Sequence, residues 1–240
     1  EALTAGLSAG QSGIPFWSWD LAGFTGEFPS SELYLRATAM STFMPIMQYH
    51  SEKSNPTVSE TRTPWNVQER TGDANVIPTF RKYANIRMSL MPYIYTAANQ
   101  ATNSGTPLMR TMQFAFPDDG QAAGNDRQYM FGPNLLVAPI TDQGATTKNL
   151  YLPEGEWFDL WNGGAAQGNQ WKQYYADVSS IPVYAKAGSI IPLNLPDTYQ
   201  LGDAMTNELT NHNLTFRIYP SGDSSSDYFD DVAGDRKSVV

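Results

Sequence analysis

The chain has 240 residues, 41% of them hydrophobic, which is enough for one large core or two ordinary ones. A formal charge of −9 argues against nucleic acid and anionic membranes as partners and favours neutral ligands. Cysteine is absent, which excludes a disulfide framework and thiol chemistry, and no apolar run approaches the ~18 residues of a membrane-spanning helix.

Glu1 to Leu7 reads as a short helix entered midway, and no basic region followed by an apolar one marks a signal peptide. The other end, Arg236 to Val240, follows a turn without closing a strand pair. Both ends read as cuts in a larger protein, and the compartment stays open between secreted and cytoplasmic.

Ile14 to Asp20 is a short apolar run rich in aromatics, and it predicts a buried parallel strand. Pro29-Ser30-Ser31-Glu32 marks a helix start, with a serine cap and a carboxylate in the first turn. Leu33, Ala37, Met40 and Met44 follow at helical spacing. Phe43 to His50 predicts the next strand, with Pro45 near its start where a missing donor is tolerable. Strand, helix and strand make a right-handed parallel unit. In a parallel α/β barrel the C-terminal strand ends form the active-site rim. Asp20 and His50 stand at those ends, with Trp17, Trp19 and Phe24 close by. A carboxylate, an imidazole and aromatic faces suit a sugar ring, with its hydroxyls on one side and its C–H face on the other. Strand alternation turns Trp17 and Trp19 away from Asp20. Packing is therefore the plainer role for Trp17, while Trp19 stands between packing and the rim.

Ser51 to Asp73 reads as a long polar loop, of the length that is functional or disordered. Trp65 within it is a candidate contact for an outer sugar, whereas Glu52 and Glu60 read as solvated. A strong helix is predicted from Thr79 to Asn103, kinked at Pro92.

The pattern changes at Gly105. Short strands are predicted at Leu108–Phe114, Leu135–Ile140, Leu150–Leu152, Trp157–Trp161, Trp171–Tyr175 and Ile190–Leu193, separated by turns, as in a β-sandwich. Trp157, Trp161 and Trp171 read as core packing rather than a sugar platform. After a linker, Leu195–Asn211, the segments Leu214–Tyr219 and Asp227–Asp230 predict a last strand pair that opens a second β-module. Asp223, Asp227, Asp230 and Asp231 lack calcium-loop spacing and read as turn and surface residues, and His212 as a loop residue. No metal or cofactor is expected. The division is thus 1–104, 105–196 and 197–240, an α/β part followed by an all-β part.

The resemblance to a family rests on a series of motifs in order. Asp20-Leu21-Ala22-Gly23-Phe24 resembles the Asp-x-x-Gly-Phe motif of glycoside hydrolase family 31. Glu32-Leu33-Tyr34-x-Arg36, Phe43-x-Pro45 and His50 match its next segment. Arg87-x-x-Leu90-x-Pro92-Tyr93-x-Tyr95 resembles its long barrel helix. Gly132-x-x-Leu135-Leu136-Val137-Ala138-Pro139 and Tyr151-Leu152-Pro153-x-Gly155-x-Trp157 resemble its β-domain, as do Ile181-Pro182-Val183 and Gly188-Ser189-Ile190-Ile191-Pro192.

The resemblance implies the end of a (β/α)8 TIM barrel followed by a β-sandwich. It also implies a retaining, exo-acting α-glycosidase, an α-glucosidase first of all, hydrolysing O-glycosidic bonds of oligosaccharides. In that family the nucleophilic and acid/base aspartates lie upstream of Asp-x-x-Gly-Phe, so this chain is expected to supply no catalytic residue and to be inactive alone. Its expected partners are an oligosaccharide or α-glycoside and the rest of its own barrel. Asp20, Phe24 and His50 are the implied substrate contacts, with Trp19 and Trp65 added from their positions. Gln48-Tyr49-His50 replaces the family's common Arg-x-His, Arg36-Ala37 its common Arg-Trp, and Trp19 a residue that is often small. These departures leave the sugar open. The rival readings are a non-catalytic carbohydrate-binding module and a structural β-domain carrying a barrel remnant.

Overall fold

The computed structural model describes residues 1–50, 61–204, 214–230 and 235–239. The readings of Glu52, Glu60, His212 and Asp231, and the later part of the 195–211 linker, lie outside the described residues.

Helix α1 (Ala2–Gln11) buries Leu3, Gly6, Leu7 and Gly10, a single face at helical spacing. Gly6 is required there, because an added Cβ would sit inside the Trp17 ring. Trp17 is thus a packing residue. Helix α2 (Ser31–Ser41) starts as its sequence predicts, with Ser30 Oγ accepting from the Leu33 N–H at 3.2 Å.

The two predicted barrel strands are corrected to irregular extended segments. They meet in one isolated parallel bridge, Asp20 to Gln48. Their direction is as expected, but no ladder forms. Pro15 and Pro45 have no N–H to give. The carbonyls of Thr42, Met44 and Pro45 are instead taken by the Arg87 guanidinium.

Part of the predicted 51–73 loop is also corrected, to helix α3 (Pro64–Thr71). Its signals are conventional: Thr63 Oγ1 accepts from Asn66 N, Pro64 opens the helix, and Gly72 closes it at φ 71°. The single kinked helix becomes two, α4 (Val76–Ser89) and α5 (Met91–Ser104). Pro92 cannot donate into the preceding turn, so the helix breaks at Leu90 and restarts with proline in its first turn.

The β-half is centred on a six-stranded antiparallel sheet with order β1-β2-β3-β8-β5-β6. These strands are β1 (Met109–Thr111), β2 (Tyr129–Phe131), β3 (Leu135–Val137), β5 (Glu156–Asp159), β6 (Ala165–Gln167) and β8 (Val183–Lys186). Two short helices, α6 (Met112–Ala115) and α7 (Gly120–Ala123), follow β1. The expected strand 108–114 ends early because Thr111 caps α6, accepting from Phe114 N at 3.1 Å. Strands β4 (Thr147–Leu152) and β7 (Gln170–Tyr175) form a separate hairpin.

Alternation explains the layering. Met130, Leu136, Tyr184 and Trp157 face the β4–β7 hairpin, packing with Leu150, Tyr151 and Leu152. Tyr129, Phe131, Leu135, Val137, Val183 and Ala185 face the other way, into a cluster shared with Leu7, Phe43, Tyr83 and Tyr93 from the helical half. The inner strands β2, β3 and β8 are buried on both faces, which is why Tyr129–Phe131, Leu135–Val137 and Val183–Ala185 read as continuous apolar runs. Trp157 is fully buried and Trp161 half-buried, and each donates its indole N–H to a backbone carbonyl. Trp171 is corrected from core to surface: on the β4–β7 hairpin it is 52% exposed.

The last strand pairing is corrected as well. Strand β10 (Leu214–Ile218) pairs with β9 (Ile190–Asn194), not with the strand that follows it. Strand β11 (Ser226–Asp230) pairs instead with β12 (Asp235–Val239). An edge left on β9 would expose a row of unpaired donors and acceptors beside buried Ile191 and Leu193, and β10 covers it.

The two halves are also bracketed by charge. Glu32 and Arg36, one turn apart on α2, form an ion pair of 2.9 Å. Glu32 accepts from Gly144 N at 2.8 Å, and Arg36 donates to the Ala145 carbonyl at 2.5 Å. A pair of helix residues thereby grips the loop before β4.

Candidate functional site

At the Asp20–Gln48 bridge the backbone and side chains cooperate. Leu21 N donates to the Gln48 carbonyl at 3.0 Å, and the Gln48 amide Nε2 donates to Asp20 Oδ1 at 2.8 Å. Nearby, Ser18 Oγ donates to the Ile46 carbonyl at 2.7 Å. The chain then turns sharply, with Gly23 N donating to the Asp20 carbonyl at 2.7 Å. Ala22 and Gly23 take φ of 57° and 84°, conformations that are costly for alanine and free for glycine. This turn projects Phe24, which is 41% exposed.

Trp19, Asp20 and Phe24 line one cavity of about 800 Å³, with Leu33, Arg36 and Met40 of α2 on another side. Trp19 has committed its indole N–H to Ser41 Oγ at 3.0 Å and meets Trp17 edge-on at 6.0 Å. It offers the cavity ring surface only. His50 is exposed and does not line the cavity, but its ring lies 5.8 Å from that of Phe24. Phe24 thus links the Asp20 cavity to His50. Trp65 is not brought to this cluster: it sits on α3, 60% exposed, away from the cavity lining.

Glu32 also lines the cavity, yet its surroundings make it a structural anion. The Gly144 N–H first, and then Arg36, hold its carboxyl below the usual range. A carboxylate fixed in that way is a poor proton donor at neutral pH.

Two contributors were not singled out from the sequence. Gln48 orients Asp20, and an isolated glutamine carries no pattern that marks such a role. Arg62 is 4% exposed and binds backbone carbonyls of the loop that carries Phe24. Its partners lie more than thirty residues away, so only folding reveals them.

A helical half is thus joined to a β-domain, with a cavity lined by Trp19, Asp20 and Phe24. Residues 1–97 match the glycosyl hydrolases family 31 TIM-barrel domain, and residues 105–191 match the glycosyl hydrolase family 31 C-terminal domain. The chain belongs to glycoside hydrolase family 31.

Among its relatives is an isomaltosyltransferase of Sporosarcina globispora, 48% identical over 242 residues, covering 100% of this chain and 22% of the relative. A 1,3-alpha-isomaltosidase of Kribbella flavida is 48% identical over 164 residues, covering 68% of this chain and 23% of its own. The solved cycloalternan-forming enzyme of Listeria monocytogenes, in complex with a pentasaccharide substrate, superposes with a TM-score of 0.95. It is 56% identical, over 98% of this chain and 22% of that one. The chain therefore spans about a fifth of the length of these relatives.

Proposed function

We propose that this chain is a section of a longer retaining α-glycosidase or α-transglycosidase of family 31, holding the end of the barrel and the β-domain after it, and acting on oligosaccharides built of α-linked glucose. The observation that carries the proposal is the joining of Asp20, Phe24 and Trp19 in one cavity, with His50 against Phe24. In this reading Asp20, oriented by Gln48, accepts from a ring hydroxyl. Phe24 packs on the C–H face, and His50 bonds a second hydroxyl beside it. Trp65 would meet only an outer residue of the oligosaccharide.

Retaining chemistry needs two carboxyl groups about 5–5.5 Å apart, one to attack the anomeric carbon and one to protonate the leaving oxygen. The family's pattern implies that both lie upstream of the Asp-x-x-Gly-Phe motif, so both roles are proposed for a part of the barrel that precedes Asp20. Residues 1–104 then complete the barrel, and 105–196 form the proximal β-sandwich. The remainder, 197–240, first returns β10 to that sandwich and then opens a distal module with the β11–β12 hairpin.

Hydrolysis by an α-glucosidase is one outcome of this chemistry, and transfer of an isomaltosyl unit to another sugar is the other. Transfer is favoured by the likeness to the isomaltosyltransferase at 48% identity and the cycloalternan-forming enzyme at 56%. The test supplies panose, which presents an isomaltosyl unit on a 1,4-linked glucose, to the full-length enzyme. Longer oligosaccharides are the expected products, with one glucose released for each isomaltosyl unit transferred and little free isomaltose. Glucose alone would return the reading to a simple α-glucosidase, and no turnover of any α-glucoside would favour a binding module. The isolated chain is expected to turn over nothing.

A further inference from the structure

The loop that presents Phe24 has little to hold it in place by itself. Residues 21–27 lie in no helix or strand, and Ala22, Gly23 and Gly26 all take positive φ, of 57°, 84° and 80°. A segment with so few regular hydrogen bonds opens easily unless other groups restrain it.

Arg62 supplies that restraint. Its side chain is almost wholly buried, yet among the described residues its guanidinium faces no carboxylate. Its partners are four carbonyl oxygens of the loop. Nη1 donates to Ala22 at 2.8 Å. Nη2 is shared among Thr25 at 2.8 Å, Gly26 at 3.2 Å and Glu27 at 3.0 Å. The arginine is itself pinned from behind, since its own carbonyl accepts from the Tyr34 hydroxyl of α2 at 3.0 Å. Tyr34 is fully buried in the cluster formed by Leu21, Leu35, Val67 and Val76. A rigid chain of contacts thus runs from the helical core through Arg62 to both flanks of Phe24.

We infer that Arg62 is a positioning residue for substrate: it fixes the 22–27 loop so that Phe24 meets the sugar in one geometry. This rests on the reading of the Asp20–Phe24 rim as a sugar site. The planar guanidinium suits the task because its fork reaches Ala22 on one side and Thr25 to Glu27 on the other. A lysine ammonium is a point charge on a flexible stem and cannot hold both sides.

The role is tested in the full-length enzyme with panose. Phe24→Ala, Arg62→Lys and the double variant are compared for KM, kcat and melting temperature. Arg62→Lys is expected to raise KM about ten-fold, as a misplaced contact does, with a smaller change in kcat. The decisive readout is coupling. If Arg62 acts through Phe24, then adding Arg62→Lys to Phe24→Ala changes KM little further. Single effects that multiply in the double variant, or an Arg62→Lys enzyme with unchanged KM, overturn the inference. Phe24→Ala without effect on KM overturns the site reading itself, and the role of Arg62 with it. Should Arg62→Lys fail to fold, Gly23→Ala probes the same contact from the exposed loop. Its new Cβ would lie 3.1 Å from Arg62 Nη1 at a φ that alanine disfavours. The same lack of additivity with Phe24→Ala is then expected, and full additivity overturns the inference.

Discussion

Asp20 and Gln48 are joined twice, by a parallel backbone bridge and by an amide–carboxylate hydrogen bond of 2.8 Å. The backbone link brings two segments of the helical half together, and the side-chain link sets the carboxylate on the cavity wall. Removing the amide should therefore affect binding more than folding. Gln48→Ala in the full-length enzyme is expected to lower kcat/KM about five-fold, the worth of a typical single hydrogen bond near 1 kcal/mol. Its melting temperature should stay close to that of the parent. A large loss of stability with unchanged kinetics would make the pair purely structural.

His50 is tested by truncation. It is exposed, and its ring leans on Phe24, so it contributes little to the core. His50→Ala is expected to lower kcat/KM by roughly 10- to 100-fold while the fold survives, because an unmatched hydroxyl costs about 1–3 kcal/mol and some bonds strengthen in the transition state. Kinetics per titrated active site, measured beside the melting temperature, decide the matter. Unchanged kcat/KM would remove His50 from the site.

Glu32 predicts a pH dependence of stability. Its carboxyl is held below its ordinary value of 4.5 by the Gly144 N–H and then by Arg36. A group whose folded pKa is depressed stabilises the fold above its unfolded pKa, and that contribution disappears as pH falls through the lower folded value. Glu32→Gln should therefore lower the melting temperature at pH 7. The gap between variant and parent should close as pH is taken from about 4.5 downward. A gap that stays constant down to acid pH would mean that the ionised carboxylate does not brace the loop at Gly144.

Gly6 gives a pure packing test. The Trp17 ring occupies the space of its missing side chain. Gly6→Ala is expected to destabilise by about 1–3 kcal/mol despite alanine's better helix propensity, since overpacking outweighs a gain of about 1 kcal/mol or less. Chemical denaturation of the parent and the variant checks it. A stabilised Gly6→Ala protein would show that Trp17 can move aside freely.

Much of this protein is legible in its local sequence. Ser30 and Glu32 mark the start of α2 and turn residues separate the short strands, because caps and turns depend on neighbours within a few residues; α3, inside a stretch that reads as a loop, emerged only in the fold. The same local patterns put Asp20 and His50 at the ends of two apolar runs, with Phe24 in the turn after Asp20. Tertiary structure decided the rest. Ile14–Asp20 and Phe43–His50 carry a strand-like composition, but a ladder needs partner backbones, and Arg87 captures the carbonyls of Thr42, Met44 and Pro45 instead. Leu214–Ile218 has the pattern of a strand, yet only the uncovered edge of β9 determines where it pairs. Arg62 looks like any surface arginine until the fold closes a loop of carbonyls around it. Periodicity and capping are properties of adjacent residues, whereas strand partners, a buried cation's ligands and the walls of a cavity come from residues brought together across the chain.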